Sequence, residues 1–181
     1  VSLLQLVEKG QVELDAPVAR YLPELAELTA ITAVDGIQVA TSAANRPVTI
    51  RDLLTYTSGF SYAPQYPATV GVDHRAILAL DQTVAQAMRK LASYPLRDQP
   101  GARWRYGYHS DVLGAVIETV SGQRIDDYFR QHVFEPLGMG DTGFLVPPTN
   151  VHRLVRAYGP GREDITDRLP PSSGYTRPTT F

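Results

Sequence analysis

The clearest alternation of apolar and polar positions in the chain lies between Asp111 and Val120. Its apolar residues recur at the spacing of one helix face: Val112, Leu113, Val116, Ile117 and Val120. This spacing predicts an amphipathic helix, and Gly122 supplies a residue suited to its C-terminal cap. A second helix is predicted from Ile125 to about Phe134, because Pro136 follows and cannot continue it.

Shorter helical patterns occupy much of the remaining chain. An apolar segment at the start reads as the end of a helix that closes at Gly10, and Asp15 is predicted to cap a short turn. Thr49 and Asp52 have the spacing of a capping box, which predicts a short helix after Thr49. Further helices are predicted over 73–80 and over 83–91, the latter capped by Thr83.

Strand patterns are few. Alternating residues between 30 and 44, with Asp35-Gly36 between them, predict a hairpin or an edge strand. A further short strand is predicted near 154–158, and the Tyr- and Pro-rich stretch 60–71 reads as an ordered loop. The pattern therefore predicts a chain of helices and loops with little strand.

Composition narrows the function classes. The 181 residues fit one domain, and the net charge of −2 includes no basic run longer than Arg89-Lys90, which disfavours nucleic acid and acidic membranes as partners. No apolar stretch approaches the about 18 residues of a transmembrane helix. The absence of cysteine excludes disulfides and thiol nucleophiles, and the four histidines lack metal-ligand spacing, so neither metal nor cofactor is predicted.

Tyr106 is the strongest candidate for chemistry. It lies between Trp104 and Tyr108, just before the predicted helix, where the helix N-terminus favours negative charge. A tyrosine pKa near 10 must fall by roughly three units for a phenolate base, which requires about 4 kcal/mol. A helix terminus contributes about 0.3–1 kcal/mol, so a cation is needed as well. The alternative role for Tyr106 is packing in an aromatic cluster.

That cation has no obvious source in the sequence. The lysines are Lys9 and Lys90, and neither belongs to a Ser-x-x-Lys motif. Ser58, in Thr57-Ser58-Gly59, lacks an adjacent base and reads as a helix-ending turn residue.

Four segments in order resemble the serine hydrolase family of class C β-lactamases, β-lactamase-like esterases and D-alanyl-D-alanine carboxypeptidases. They are LQLVEKGQVELDAPV (4–18) with YLP (21–23), VTIRDLLTYTSGF (48–60), WRYGYHSDVLG (104–114), and FEPLGM (134–139) with DTGF (141–144). The third segment is similar to the family's Tyr-x-Asn element. Together they span nearly all 181 residues.

The resemblance implies an α+β architecture: a partial β-lactamase/transpeptidase-like fold, mainly its helical lobe. Residues 1–181 are then expected to be a single partial domain truncated at both ends. The family's Ser-x-x-Lys is expected before Val1, and its Lys or His motif ending in Gly after Phe181.

The resemblance also implies acyl transfer through an acyl-serine, with Tyr106 as the catalytic proton-transfer residue. Tyr108 stands where many family members have asparagine, and it either contacts the substrate or packs in the core. Tyr62 either lines the substrate pocket or belongs to a surface loop. A phenol lacks the donor-plus-acceptor pair of an amide, which favours an esterase-like site over a true β-lactamase.

The chain is therefore predicted to be part of a serine hydrolase that acts on small-molecule esters, β-lactams or D-alanyl peptides. The isolated chain is predicted to be inactive. The alternatives are a non-catalytic binding module that keeps the fold, and an unrelated helical interaction domain. A cytoplasmic and a periplasmic or secreted location both remain open, as does the oligomeric state.

Overall fold

Helices joined by loops dominate the chain, whose computed structural model describes residues 1–77, 82–144 and 146–166. The α-helices in these ranges are α1 (Ser2–Glu8), α2 (Ile50–Leu54), α3 (His74–Ile77), α4 (Val84–Ala92), α5 (His109–Ser121) and α6 (Ile125–Phe129). The strands are β1 (Thr29–Asp35) and β2 (Gln38–Ala43). Short 3₁₀ turns lie at Val18–Arg20, Pro23–Leu25, Ala63–Gln65, Ala68–Val70 and Pro148–Arg153, and a π-helical turn at Arg130–Phe134. The predicted α+β architecture with little strand is confirmed.

Helix α5 lies at the centre of the first compact unit, residues 1–128. It packs against α1 and α2, and three residues of the predicted stripe, Val112, Val116 and Ile117, are buried, whereas Leu113 and Val120 are partly exposed. Gly122 ends the helix with a left-handed φ of 67°, as predicted. The apolar spacing therefore identified the element around which this unit is built.

The hairpin of β1 and β2 is antiparallel and turns at Gly36, whose φ is +56°. Its free edge is partly covered, because Ile31 donates to the carbonyl of Leu96 (2.9 Å) and Leu96 donates to that of Thr29 (2.7 Å). The segment around Leu96 thus adds a short parallel bridge to β1.

Both predicted helix caps on threonine are present. Thr49 and Asp52 form a reciprocal capping box at α2, and Thr83 forms one with Gln86 at α4. Each box satisfies backbone N–H groups that have no partner inside the helix. Helix α3 begins one residue after the predicted start at residue 73, and positions 78–80 of that predicted helix lie outside the described residues.

Two local predictions were wrong. Asp15 does not cap the turn Val18–Arg20; its carboxylate accepts two hydrogen bonds from Arg51, at 2.7 and 2.8 Å, a bidentate contact that occupies both carboxylate oxygens. Residues 154–158 do not form a strand. Only a single bridge joins Tyr158 to Asp164, and among the described residues the segment has no partner strand, so its apolar side chains stay exposed.

The second compact unit begins at Phe129. Its aromatic centre places the Phe129 ring 6.1 Å from that of Phe134 and 5.7 Å from that of Phe144. Across the described parts of the chain, no helix is both long enough and apolar enough to span a membrane.

Candidate active site

The loop that carries Tyr106 is attached to the rest of the first unit on both sides of this residue. The Arg105 N–H donates to the carbonyl of Tyr56 (2.9 Å), and the Gln65 side-chain amide donates to the carbonyl of Tyr106 (3.0 Å). The Arg105 guanidinium also forms an ion pair with Asp98. The position of the loop is therefore set by residues distant from it in sequence.

Gly107 allows this loop to approach the segment that follows α2. A Cβ atom at Gly107 would lie 2.5 Å from the carbonyl oxygen of Phe60 and 2.6 Å from the Cα of Ser61. Both distances are shorter than real Cβ contacts, and both neighbours are backbone atoms that cannot rotate away. The residue after Tyr106 must therefore be glycine for this path.

The Tyr106 side chain is 55% exposed beside the N-terminus of α5, as predicted. Its ring stacks on Tyr56, with centroids 5.9 Å apart and planes 7° apart, and meets the edge of Tyr62 at 5.4 Å. No residue in the described ranges hydrogen-bonds the Tyr106 hydroxyl. Among the described residues, aromatic rings rather than a hydrogen bond thus hold the Tyr106 side chain.

The structure brings the three predicted site tyrosines together. Tyr62 contacts both others edge-on, at 5.4 Å from Tyr106 and 4.7 Å from Tyr108. Tyr108 is only 1% exposed, and its hydroxyl is 2.8 Å from Nδ1 of His74. This burial supports the packing alternative for Tyr108, whereas Tyr62 is partly exposed.

Electrostatics separates these tyrosines. Burial, assisted by the charge of Asp111, raises the pKa of Tyr62 to about 12. The same two causes raise the pKa of Tyr108 above its usual range. Both side chains therefore remain phenols near neutral pH and can donate a hydrogen bond through their hydroxyl groups.

Two titratable groups lie in the first turn of α5. Burial raises the pKa of Asp111, whose Oδ2 has no hydrogen-bond partner among the described residues. Burial lowers the pKa of His109 to about 4, an effect that the Gly107 backbone only partly offsets, so its imidazole is neutral near neutral pH. Its ring packs on Tyr56, with centroids 4.5 Å apart.

Among the described residues, no hydrogen bond or ion pair joins either lysine to Tyr106. Lys9 lies at the C-terminal cap of α1, and the Lys90 ammonium donates to the carbonyl of Ala76 (3.2 Å). Within the described ranges, no three His, Asp or Glu side chains gather as candidate metal ligands. Ser58 is fully buried and accepts a hydrogen bond from the Phe60 N–H (3.3 Å), the contact of a turn residue.

Three residues of the site were missed from the sequence: Tyr56, Ser61 and Gln65. The buried Ser61 hydroxyl donates to the side-chain oxygen of Gln65 (2.9 Å), which orients the amide that holds the Tyr106 carbonyl. For Ser61 and Gln65, the polar and aromatic residues that follow Thr57-Ser58-Gly59 were the available signal, since such a loop beside a motif segment is a common place for site residues.

A family model described as "Beta-lactamase" matches residues 1–179. The chain belongs to the beta-lactamase family. This membership removes the alternative of an unrelated helical interaction domain. It also agrees with the predicted resemblance, which rested on segments in the same order.

Among curated members of the beta-lactamase family, Esterase EstB of Burkholderia gladioli is 38% identical over 150 residues, covering 80% of this chain and 35% of that protein. Lovastatin esterase of Penicillium rubens is 32% identical over 171 residues, covering 93% and 39%. The chain thus spans well under half the length of these relatives.

Solved structures of the beta-lactamase family agree with the fold. EstCE1, described as a hydrolase with promiscuous acyltransferase activity, superposes with a TM-score of 0.70 at 31% identity, covering 90% of this chain and 41% of that one. Unliganded simvastatin synthase (LovD) of Aspergillus terreus gives 0.68 at 29% identity, covering 89% and 41%.

Proposed function

We propose that these 181 residues are part of a serine hydrolase that transfers acyl groups from small-molecule esters or amides through an acyl-serine, with esterase-like activity. Tyr106 is the proton-transfer residue of this site. The observation that carries the proposal is the Tyr106 side chain itself: half exposed beside the N-terminus of α5, on a loop fixed from both sides, with no hydrogen bond to its hydroxyl among the described residues. Relatives named as esterases support the ester preference.

The nucleophile and its lysine are proposed to lie outside these residues, because no Ser-x-x-Lys occurs in the sequence. The same gap explains the missing cation: helix α5 contributes only about 0.3–1 kcal/mol of the roughly 4 kcal/mol that a phenolate at Tyr106 requires. The domain is accordingly proposed to be partial, and an ammonium from the missing motif would complete the activation of Tyr106.

Tyr62 is proposed to border the substrate, since its ring meets Tyr106 edge-on and its side chain is partly exposed. As a phenol with a raised pKa, it can donate a hydrogen bond to an ester or amide oxygen. For Tyr108, substrate contact stays a prediction. Its buried hydroxyl beside His74 favours a supporting role behind Tyr62.

The decisive test compares Tyr106→Phe with the unchanged protein in a form that contains the Ser-x-x-Lys segment. We expect the rate of acylation by p-nitrophenyl butyrate to fall by about 10²–10⁴-fold, the usual contribution of a positioned proton-transfer group. Tyr158→Phe, at another exposed tyrosine, is the matched control and should leave the rate unchanged. Equal rates for Tyr106→Phe and the unchanged protein would remove the assignment.

The isolated 181 residues provide the second test. Without the nucleophile, we expect no burst of p-nitrophenol and no labelling by a fluorescent penicillin. A stoichiometric burst would contradict the placement of the nucleophile outside these residues. If the coding sequence that precedes Val1 contains no Ser-x-x-Lys, the alternative of a non-catalytic binding module is favoured instead.

A further inference from the structure

Tyr56 occupies a backbone position that normally belongs to glycine. It follows the C-terminal cap of α2, and its φ is +59°, in the left-handed region. The Tyr56 N–H donates to the carbonyl of Leu53 (3.2 Å), and the Thr57 N–H donates to that of Asp52 (2.8 Å), the two hydrogen bonds of a Schellman motif. A large side chain is strained in this conformation and persists only where surrounding contacts hold it.

The contacts that hold Tyr56 lead to the Tyr106 loop. Its ring stacks with Tyr106, nearly parallel at 5.9 Å, with Trp104, tilted by 22° at 6.1 Å, and with His109 of α5 at 4.5 Å. Its hydroxyl is 2.8 Å from the hydroxyl of Ser110 in the first turn of α5. Its carbonyl accepts the Arg105 N–H at 2.9 Å. Backbone, ring and hydroxyl of this one residue thus fix the loop and the helix start that flank Tyr106.

The Tyr106 ring needs such support. Its carbonyl is held by Gln65, but its side chain is half exposed, and within the described residues its hydroxyl has no hydrogen bond to orient it. Proton transfer depends on placing the reacting oxygen to within a fraction of an ångström. The parallel Tyr56 ring, together with the edge-on Tyr62 ring, restricts the rotation of the Tyr106 side chain.

We infer that Tyr56 is the positioning residue for Tyr106: the strained C-terminus of α2 presents an aromatic ring that sets the orientation of the Tyr106 phenol. This inference rests on the proposed function of Tyr106. It adds a role for a residue that touches no reacting atom and that carries neither the nucleophile nor a base.

The test uses the protein with its Ser-x-x-Lys segment and p-nitrophenyl butyrate as substrate. Tyr56→Gly removes the ring and fits the left-handed backbone without strain, and this relief offsets part of the stability lost with the ring contacts, so the variant should remain folded. We expect kcat to fall by about 10–100-fold with KM within about twofold, because orientation is lost while binding remains. Tyr56→Asn, which also tolerates this backbone, is the second variant should the glycine substitution fail to fold.

Two further variants distinguish the effects of the Tyr56 ring, of its hydroxyl and of its backbone strain on kcat. Tyr56→Phe keeps the stacked ring and should retain most of kcat. Arg162→Gly relieves the other left-handed non-glycine residue among the described ranges and should leave kcat unchanged. A fall in kcat with Arg162→Gly as large as that with Tyr56→Gly would overturn a specific role for the ring.

A double-mutant cycle decides whether Tyr56 acts through Tyr106. We expect Tyr56→Gly combined with Tyr106→Phe to be no slower than Tyr106→Phe alone. Multiplied losses, or a folded Tyr56→Gly variant with the kcat of the unchanged protein, would overturn the inference while leaving Tyr106 assigned. Full activity of Tyr106→Phe alone would instead show that the proposed function of Tyr106 has failed.

Discussion

Asp52 and Asp111 occupy the same position, the third residue of a helix, and behave as opposites. Asp52 in α2 accepts two hydrogen bonds from Arg46 (2.6 and 2.9 Å) and one from the Thr49 N–H (2.9 Å). Burial is the largest single influence on the pKa of Asp52 and by itself would raise it. The hydrogen bonds and the charge of Arg46 together outweigh burial, so the pKa is lowered. Asp111 in α5 is also shielded from solvent, yet its Oδ2 has no partner among the described residues, and its pKa is raised.

The difference separates a helix start built for stability from one built beside a candidate site. At α2 a threonine caps the helix and an arginine neutralises the carboxylate. At α5 the cap residue is Tyr108, which makes no side-chain capping hydrogen bond, and the neighbouring groups are aromatic. Incompletely satisfied groups tend to collect where a protein performs chemistry, and α5 begins beside Tyr106.

The largest expected effect comes from Asp52→Asn. We expect the free energy of unfolding to fall by about 2–4 kcal/mol, because the substitution removes the charge that pairs with Arg46 and weakens the cap at Thr49. Urea unfolding followed by circular dichroism measures it. Asp15→Asn is the control: its pair with Arg51 is exposed and screened by solvent, so its loss should be much smaller than that of Asp52→Asn. Equal effects of the two substitutions would contradict the special role of Asp52.

Gly107→Ala tests how closely the loop before α5 is fitted. We expect a loss of about 1–3 kcal/mol, because the new methyl group overlaps the backbone of Phe60 and Ser61. Gly122→Ala, at the other end of α5, meets no atom within 4 Å and should cost only about 1 kcal/mol, through its left-handed φ. A smaller loss at Gly107 than at Gly122 would show that the loop moves freely.

Asp111→Asn is expected to change the free energy of unfolding by less than about 1 kcal/mol at neutral pH, with a gain as the favoured sign. The amide removes a buried charge whose Oδ2 has no partner in the described part of the chain. The same urea experiment applies. A loss as large as that of Asp52→Asn would break the contrast between the two carboxylates.

The smallest expected effect is on the pH dependence of the free energy of unfolding, to which Asp52 and Asp111 should contribute with opposite signs. A lowered folded-state pKa means that the contribution of Asp52 is present above pH 3.8 and is lost as the pH falls through the folded value. A raised folded-state pKa means that Asp111 destabilises at neutral pH and that acidification toward 3.8 relieves this. Urea unfolding of both variants should be measured from neutral pH down to about pH 3. As the pH falls, the stability lost in Asp52→Asn and the stability gained in Asp111→Asn should both become smaller.

Local patterns predicted much of this fold because their causes are local. The capping boxes at Thr49 and Thr83, the turn at Gly36 and the buried face of α5 each depend on residues within a few positions of one another. The Asp15 cap was mispredicted because Arg51, distant in sequence, competes for the carboxylate.

The candidate site was only partly predictable for the same reason. The sequence pointed to Tyr106 and Tyr62, but the alternation of Trp104, Tyr106 and Tyr108 gave no sign that only the last is buried. Gln65 reaches the Tyr106 carbonyl across 41 positions, and Tyr56 reaches the Tyr106 ring from the end of another helix. Contacts of this kind depend on tertiary packing, which periodicity does not describe.

The stack on Tyr56 has a practical consequence, because Trp104 is the single tryptophan of the chain. Its indole is 65% exposed and stacks with the Tyr56 ring, which also stacks with Tyr106. Intrinsic fluorescence excited at the indole therefore comes from this one place. The protein carries its own optical reporter, and a change in emission on adding an ester would be a signal from the Tyr106 loop itself.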